Sequence, residues 1–204
     1  GSPLRSPADM NDELWFELQW MPSAGGEAKT VMTLDAQGDA PSMPRPVWNA
    51  AGDRLYTIEY GEDPTGTSQK NTLVSVRLDG TDRIAHASVT NAEDMVPSPD
   101  ERWLAYRVKY TAYVSELPGP GRETVELGPD GALPARKLSD DSGDWLGWGS
   151  GGSCITWSSG PVFRSLSMDS LTSYWERTLL EAGKPKKKDE TKKDSAAGDS
   201  SGAK

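Results

Sequence analysis

One motif recurs three times along the chain, at spacings of 49 and 51 residues, and it constrains the fold more than any other feature. Each copy has the pattern of a strand end, a tight turn and the start of a new strand. The gap-free copies run from Trp48 to Leu55, from Pro97 to Leu104 and from Trp148 to Ile155. Their turn pairs are Ala51-Gly52, Asp100-Glu101 and Gly151-Gly152, and two of the three supply a glycine where a positive φ is needed.

Short β-type runs follow each of these turns. First runs cover 55–60, 103–108 and 154–157, and second runs cover 71–78, 112–117 and 162–166. Two earlier runs, 13–20 and 30–34, resemble the outer half of a preceding unit. Units of about 50 residues that each form a small antiparallel sheet are typical of propeller blades. The sequence therefore predicts an all-β fold, an incomplete β-propeller of about three to four blades.

The number of units has a consequence for the surface. A closed propeller ring needs 4–8 blades, and this chain fills about half of a ring of six or seven. An open stack would leave two blade faces, rich in Trp and Leu, in contact with water. We therefore expect either that the sequence is incomplete as a folding unit or that it pairs with a partner.

Four segments are predicted along the chain. They are a flexible N-terminus at 1–12, the blades at 13–168, a short helix at 169–183 and a disordered linker or tail at 184–204. The last segment contains seven Lys and four acidic residues and lacks aromatic and branched aliphatic residues, so it cannot bury enough apolar area to offset its ordering entropy.

The predicted helix has one apolar face. The face repeats with the period of an α-helix and consists of Leu171, Tyr174, Trp175, Thr178 and Leu179. We expect it either to cover an exposed blade edge or to pack on a following domain.

Composition excludes several classes of protein. The formal net charge of −9, from 22 basic and 31 acidic residues, argues against binding to a nucleic-acid backbone. One Cys excludes a disulfide framework, and one His excludes any site that needs two imidazoles. No run approaches the ~18 apolar residues of a membrane helix. Residues 1–11 show no signal-peptide pattern, and the compartment stays open.

Two single residues are of a type that can act as catalytic groups. His86 follows the Asp79-Gly80 turn, and no nucleophile or orienting acid nearby completes a general-base set, so a strand-end or loop histidine is favoured. Cys154 lies in a predicted strand without adjacent positive charge, which favours a small buried hydrophobe over a reactive thiolate. We therefore expect no catalytic residue in this chain.

Loops with ligand-like composition have simpler interpretations. The acidic segment 139–144 lacks the spacing of an EF-hand, so a solvated turn is favoured over a Ca²⁺ site. The Gly-Pro-Gly at 119–121 and the segment 128–131 lack the Lys and the helix of a phosphate-binding loop. We therefore expect no metal site and no cofactor-binding site here.

Tryptophan is concentrated in and beside the repeats. Recurrence at equivalent positions favours packing between blades over stacking platforms for sugars or bases. Trp145 and Tyr110 lie outside the matched positions and are the better candidates for surface residues.

The motif resembles the TolB-like (PD-repeat) propellers, whose repeat reads Trp-Ser-Pro-Asp-Gly, then a basic residue and a short apolar strand. The second copy keeps Ser98-Pro99-Asp100 and an apolar run from Trp103, the first keeps its Trp, Gly and aliphatic positions, and the third is degenerate. The structural repeat positions are Trp48, Gly52, Leu55, Pro99, Asp100, Trp103, Leu104, Trp148, Gly152 and Ile155.

The order of the segments from Val96 to Pro161 looks like the propeller that precedes the catalytic domain in amidohydrolase-related proteins. The resemblance spans residues 13–166. It implies a non-catalytic scaffold or recognition module, with a metal-dependent hydrolase domain elsewhere that would bind a divalent metal. It also favours a periplasmic or secreted location. The partner would be that catalytic domain, on the same or a neighbouring polypeptide.

Two other functions stay open. One is a stand-alone protein-interaction propeller that completes itself with a partner or by oligomerising. The other is an enzyme that acts through its propeller loops. Neither nucleic acid nor a membrane span is expected as part of any of these functions.

Overall fold

The computed structural model describes residues 14–36, 45–121, 123–129 and 131–182. The predicted flexible N-terminus at 1–12 and the predicted tail at 184–204 lie outside the described residues. The first seven strands are β1 (Leu14–Trp20), β2 (Lys29–Ala36), β3 (Val47–Trp48), β4 (Arg54–Glu59), β5 (Lys70–Arg77), β6 (Ile84–Thr90) and β7 (Ala92–Pro97). The others are β8 (Trp103–Val108), β9 (Thr111–Glu116), β10 (Val125–Leu127), β11 (Ala135–Lys137), β12 (Asp144–Gly149), β13 (Cys154–Ser159) and β14 (Val162–Ser167), followed by helix α1 (Met168–Ala182).

The strands form four small sheets in chain order. The first sheet is the hairpin β1–β2, and the second is the meander β3–β4–β5–β6 with β10 added in parallel beside β6. The third sheet has the order β11–β9–β8–β7, and the fourth has the order β12–β13–β14. None of these sheets closes on itself within the described residues. The predicted all-β class is confirmed, whereas the propeller stays a prediction.

The three repeat copies adopt the same strand register. Trp48 pairs with Leu55, Pro97 with Leu104 and Trp148 with Ile155, at the same point of the second, third and fourth sheets. The first residue of each copy thus faces its last residue across an antiparallel hairpin. The gap-free alignment of the sequence therefore corresponds to a structural repeat.

The fifth residue of each copy has a left-handed backbone. Its φ is +72° at Gly52, +57° at Glu101 and +96° at Gly152. Glycine adopts this region without steric cost, whereas a glutamate does not. Glu101 gains a compensating contact, because the Tyr56 hydroxyl donates to its Oε1 at 3.1 Å. The chain therefore keeps the turn conformation in the second copy and uses its side chain to join two sheets.

Both faces of the second sheet are covered. Side chains alternate along a strand, so Leu55 packs against Val31 of the first sheet, while Tyr56 and Ile58 pack in a cluster with Leu104 of the third sheet. Apolar burial on both faces supplies most of the driving force that holds adjacent sheets together. The second and third sheets thus stack face to face around one apolar core.

The fourth sheet is buried on one face. Ile155 and Trp157 of β13 are buried, while the alternating residues between and beside them are only partly covered. Strand β14 is exposed along nearly its whole length, including Val162 and Phe163. On the other face Gly147 pairs with Thr156, and both residues are partly covered.

Helix α1 begins at Met168 and ends at Ala182, within one residue of the predicted bounds 169–183. Leu171 and Trp175, one turn apart on the predicted apolar face, are both buried. The side chain of Leu179 lies outside the described residues. No helix in the described part of the chain is both long and apolar enough to cross a membrane.

Three strands were not apparent from the sequence. Strand β6, Ile84–Thr90, contains mostly small or polar residues, which hide its alternation, and β10 and β11 contain only three residues each. His86 was expected in a loop or at a strand end, but it is the third residue of β6. That position is a β-bulge, because Leu73 pairs with Ala87 while Val74 already pairs with Ala85.

Candidate functional site

Arg45 connects the beginnings of three strands, namely β3, β7 and β12, which are the first strands of the second, third and fourth sheets. Its guanidinium forms an ion pair with Asp94 of β7 and donates to the carbonyl oxygen of Leu146 in β12 at 3.3 Å. Arg45 itself lies two residues before β3. One side chain therefore links three sheets that are far apart in sequence.

A second arginine, Arg107 near the end of β8, contacts residues at the beginnings of β7 and β12. Its Nη1 is 2.7 Å from Glu93 Oε2, 3.1 Å from Asp144 Oδ1 and 3.4 Å from the carbonyl oxygen of Lys109. About four-fifths of the Arg107 side chain is buried. These acceptors replace water around Nη1, whereas the buried Nε has no hydrogen-bond partner among the described residues. We call Arg45, Glu93, Asp94, Arg107 and Asp144 the arginine–carboxylate cluster.

Burial affects the acid–base behaviour of this cluster. Burial raises the pKa of the Asp94 carboxyl above its ordinary value, although Arg45 and Arg107 act in the opposite direction. Burial also raises the pKa of the Tyr60 hydroxyl, and the negative charge of Asp94 adds to that effect. The two arginines therefore keep a largely buried carboxylate in an otherwise unfavourable place.

Two irregularities in the strands shape this end of the sheets. The register of β7 shifts between Ala92 and Asp94, and that of β12 shifts between Asp144 and Gly147. Such bulges redirect side chains out of the regular pleat. In β12 the bulge contains Trp145, whose φ is +55° and whose side chain is 78% exposed.

A close backbone contact positions the start of β12. An ideal Cβ built on Gly143 would lie 2.3 Å from Ala112 Cβ and 2.9 Å from Ser139 Oγ, so only glycine fits there. Ser139 Oγ in turn accepts a hydrogen bond from the Ala112 amide at 2.9 Å. The segment that leads to Asp144 and Trp145 is thereby held against β9.

Tyr110 lies in the hairpin between β8 and β9 and is 70% exposed. It follows Lys109, which has a φ of +57°. The exposure of Trp145 and Tyr110 confirms the sequence-based prediction that these two aromatic residues lie at the surface. Each comes directly after a residue that contacts the same nitrogen of Arg107.

His86 forms a separate, buried network. Its Nε2 lies 2.8 Å from Ser75 Oγ, and Arg54 Nε donates to the same oxygen at 3.2 Å. A hydrogen bond to the Pro118 carbonyl raises the pKa of His86, but burial and Arg54 lower it more, so the pKa lies below its ordinary value. Ser75 is 1% exposed, so this serine–histidine pair is closed to a substrate. The network joins β5 and β6 to the segment after β9.

Several polar side chains of residues 139–144 form hydrogen bonds or ion pairs with other protein groups. Lys137 pairs with Asp140, Ser142 donates to Asp144, and Asp144 pairs with Arg107. In the described part of the chain, no three His, Cys, Asp or Glu side chains are grouped so that they could hold a metal ion. The segment 128–131 forms a turn closed by a Gly131 amide hydrogen bond to the Gly128 carbonyl.

The repeat residues contribute to contacts between sheets. Trp148 Nε1 donates to the Val96 carbonyl of the third sheet at 3.0 Å, and a Cβ on Gly152 would contact Pro99 at 3.3 Å. Trp48 is 48% exposed, since only the two described strands of the first sheet stand on its side. Asp100 accepts hydrogen bonds within its own turn.

Comparison of the chain with protein-family models, curated proteins and solved structures finds no match. The fold and the site therefore define only a class, a protein of stacked antiparallel sheets with an arginine–carboxylate cluster at one end. Sequence reasoning did not identify Arg45, Glu93, Asp94 or Arg107. No local motif marks them, because each finds its partner through the stacking of the sheets.

Proposed function

We propose that this chain is a non-catalytic scaffold or recognition module of TolB-like propeller blades, which associates with a metal-dependent hydrolase domain of the amidohydrolase type. The proposal starts from the resemblance of residues 13–166 to such propellers. The common register of the three repeat copies supports it, because blades of a propeller are structural repeats that bury their faces against their neighbours.

The exposed outer edge of strand β14 is the observation that supports this association. Apart from the added strand β10, the second and third sheets each contain four antiparallel strands. In the described residues the fourth sheet has only three strands, and β14 is its outer strand. Val162 and Phe163 on β14 are 48% and 72% exposed. An exposed apolar edge strand is a template for pairing with another chain or domain. The hydrolase domain, or a blade that precedes it, would cover this edge.

The size of the native gene product tests the link to a hydrolase. An antibody raised against residues 13–166 is used on an immunoblot of the source cells, and the detected protein is purified and assayed for amide hydrolysis with and without a chelator. We expect a band well above the 22.0 kDa of this chain and activity that the chelator abolishes. A 22.0 kDa band without co-purifying hydrolase would refute the proposal.

The second candidate is a stand-alone interaction module that completes its sheets with another copy. The same exposed strand β14 favours it, since two identical edges can pair across a two-fold axis. Light scattering of the purified chain distinguishes the two functions. A stable dimer together with a 22.0 kDa native product supports self-association, whereas a monomer at micromolar concentration excludes it.

A further inference from the structure

Two exposed aromatic side chains flank the arginine–carboxylate cluster. Trp145 is 78% exposed and Tyr110 is 70% exposed, and they belong to the fourth and third sheets. Arg107 Nη1 contacts both Asp144, which precedes Trp145, and Lys109, which precedes Tyr110. The residue before each aromatic residue is therefore bonded to the same nitrogen of one largely buried guanidinium.

The backbone at Trp145 has an energetic cost. Its φ of +55° is unfavourable for a bulky side chain, and burial does not compensate, because most of the indole is in water. Trp145 adopts this conformation within the β12 bulge, between Asp144 and Gly147. A strained and exposed aromatic residue that contributes little to the core points to contact with a ligand.

The formal charges of the cluster together with Lys109 balance. Glu93, Asp94 and Asp144 supply three negative charges, and Arg45, Arg107 and Lys109 supply three positive charges. An ion would gain little from a group of side chains with balanced formal charge, whereas a neutral polar ligand finds both donors and acceptors there. The carboxylates of Glu93 and Asp144 are each about two-fifths exposed and so remain accessible.

We propose that Trp145 and Tyr110 form a binding site for a neutral carbohydrate chain, with the arginine–carboxylate cluster as its polar floor. Apolar faces of sugar rings stack on indole and phenol rings, and sugar hydroxyls hydrogen-bond to the carboxylates and to the Lys109 amine. Stacked bases are the competing ligand for exposed aromatic rings, but the net charge of −9 disfavours a polyanion. This inference does not depend on the hydrolase association proposed above.

Affinity gel electrophoresis of the full chain tests the site. Native gels contain one soluble polysaccharide each, namely hydroxyethylcellulose, laminarin, soluble starch or galactomannan, and a parallel set contains single-stranded oligonucleotides. We expect at least one polysaccharide to retard the wild-type chain. Trp145→Ala and Tyr110→Ala should each weaken that binding by about tenfold or more. Trp145→Phe keeps an aromatic platform and should retain most of the binding.

Met21→Ala provides the control, because Met21 is 59% exposed next to β1 and belongs neither to the cluster nor to the exposed strand β14. This variant should bind as the wild type does, and the melting temperatures of all variants show that each remains folded. The proposal fails if no polysaccharide retards the wild-type chain, if Met21→Ala weakens binding as much as Trp145→Ala, or if only the oligonucleotides bind. The last result would assign the aromatic pair to base stacking.

Discussion

Replacement of Gly143 by alanine tests whether close backbone packing positions the start of β12. The new Cβ would lie 2.3 Å from Ala112 Cβ and 2.8 Å from the Ala112 amide nitrogen, much closer than van der Waals contact allows. Overpacking of this kind costs about 1–3 kcal/mol. If the segment moves away, the hydrogen bond from the Ala112 amide to Ser139 Oγ is also lost, which leaves a buried donor unpaired at about 1–3 kcal/mol.

The expected loss for Gly143→Ala is therefore about 2–6 kcal/mol of unfolding free energy. For a chain of this size that loss corresponds to a melting temperature lower by roughly 4–24 °C. Urea unfolding followed by circular dichroism measures it. Gly119→Ala is the matched control, since a Cβ there has no atom within 4 Å, and it should change stability by less than about 0.5 kcal/mol.

The result that contradicts this reasoning is a Gly143→Ala protein as stable as the wild type. A loss of equal size in both alanine variants would also contradict it, because the effect would then arise from any glycine replacement in these loops. A selective loss in Gly143→Ala supports the packing argument, and with it the placement of the segment that leads to the arginine–carboxylate cluster.

Three further outcomes are expected. Burial lowers the pKa of His86, so its contribution to stability is constant above its ordinary value of 6.5 and falls as pH drops towards the folded value; His86→Gln should flatten the dependence of unfolding free energy on pH below 6.5. Glu101→Gly should stabilise a Tyr56→Phe protein by about 1 kcal/mol in urea unfolding but the wild type by less, and equal gains would refute the compensating hydrogen bond. Phe163→Lys should abolish association through β14 in light scattering, whereas Met21→Lys, at a similarly exposed site in the first hairpin, should not.

The local sequence pattern predicts much of the arrangement of strands and turns. The hairpins of the first, second, third and fourth sheets follow from alternating apolar residues and turn residues, because both signals act between neighbours in sequence. The apolar face of helix α1 is of the same kind. The exposure of Trp145 and Tyr110 also followed from the sequence, since these two residues fall outside the matched repeat positions and so lack an equivalent packing partner.

Other features were hidden from local pattern. Strand β6 lacks a clear alternation, and β10 is short and pairs in parallel with a strand from much earlier in the chain. The left-handed backbone of Glu101 cannot be predicted from its residue type, because glutamate avoids that region in most contexts. Its place in the repeat imposes the conformation and the Tyr56 hydroxyl helps to hold it.

The sequence by itself determined the hairpins of the repeat, which residues repeat and which aromatic residues stay outside the repeat. Only the tertiary structure decided that Arg45 contacts Asp94 and the Leu146 carbonyl, 49 and 101 residues away, and that Arg107 contacts Asp144, 37 residues away. Periodicity reports which face of a strand is buried, whereas ion pairs between sheets depend on how those sheets stack. The arginine–carboxylate cluster and its two flanking aromatic rings exist only once the sheets have packed together.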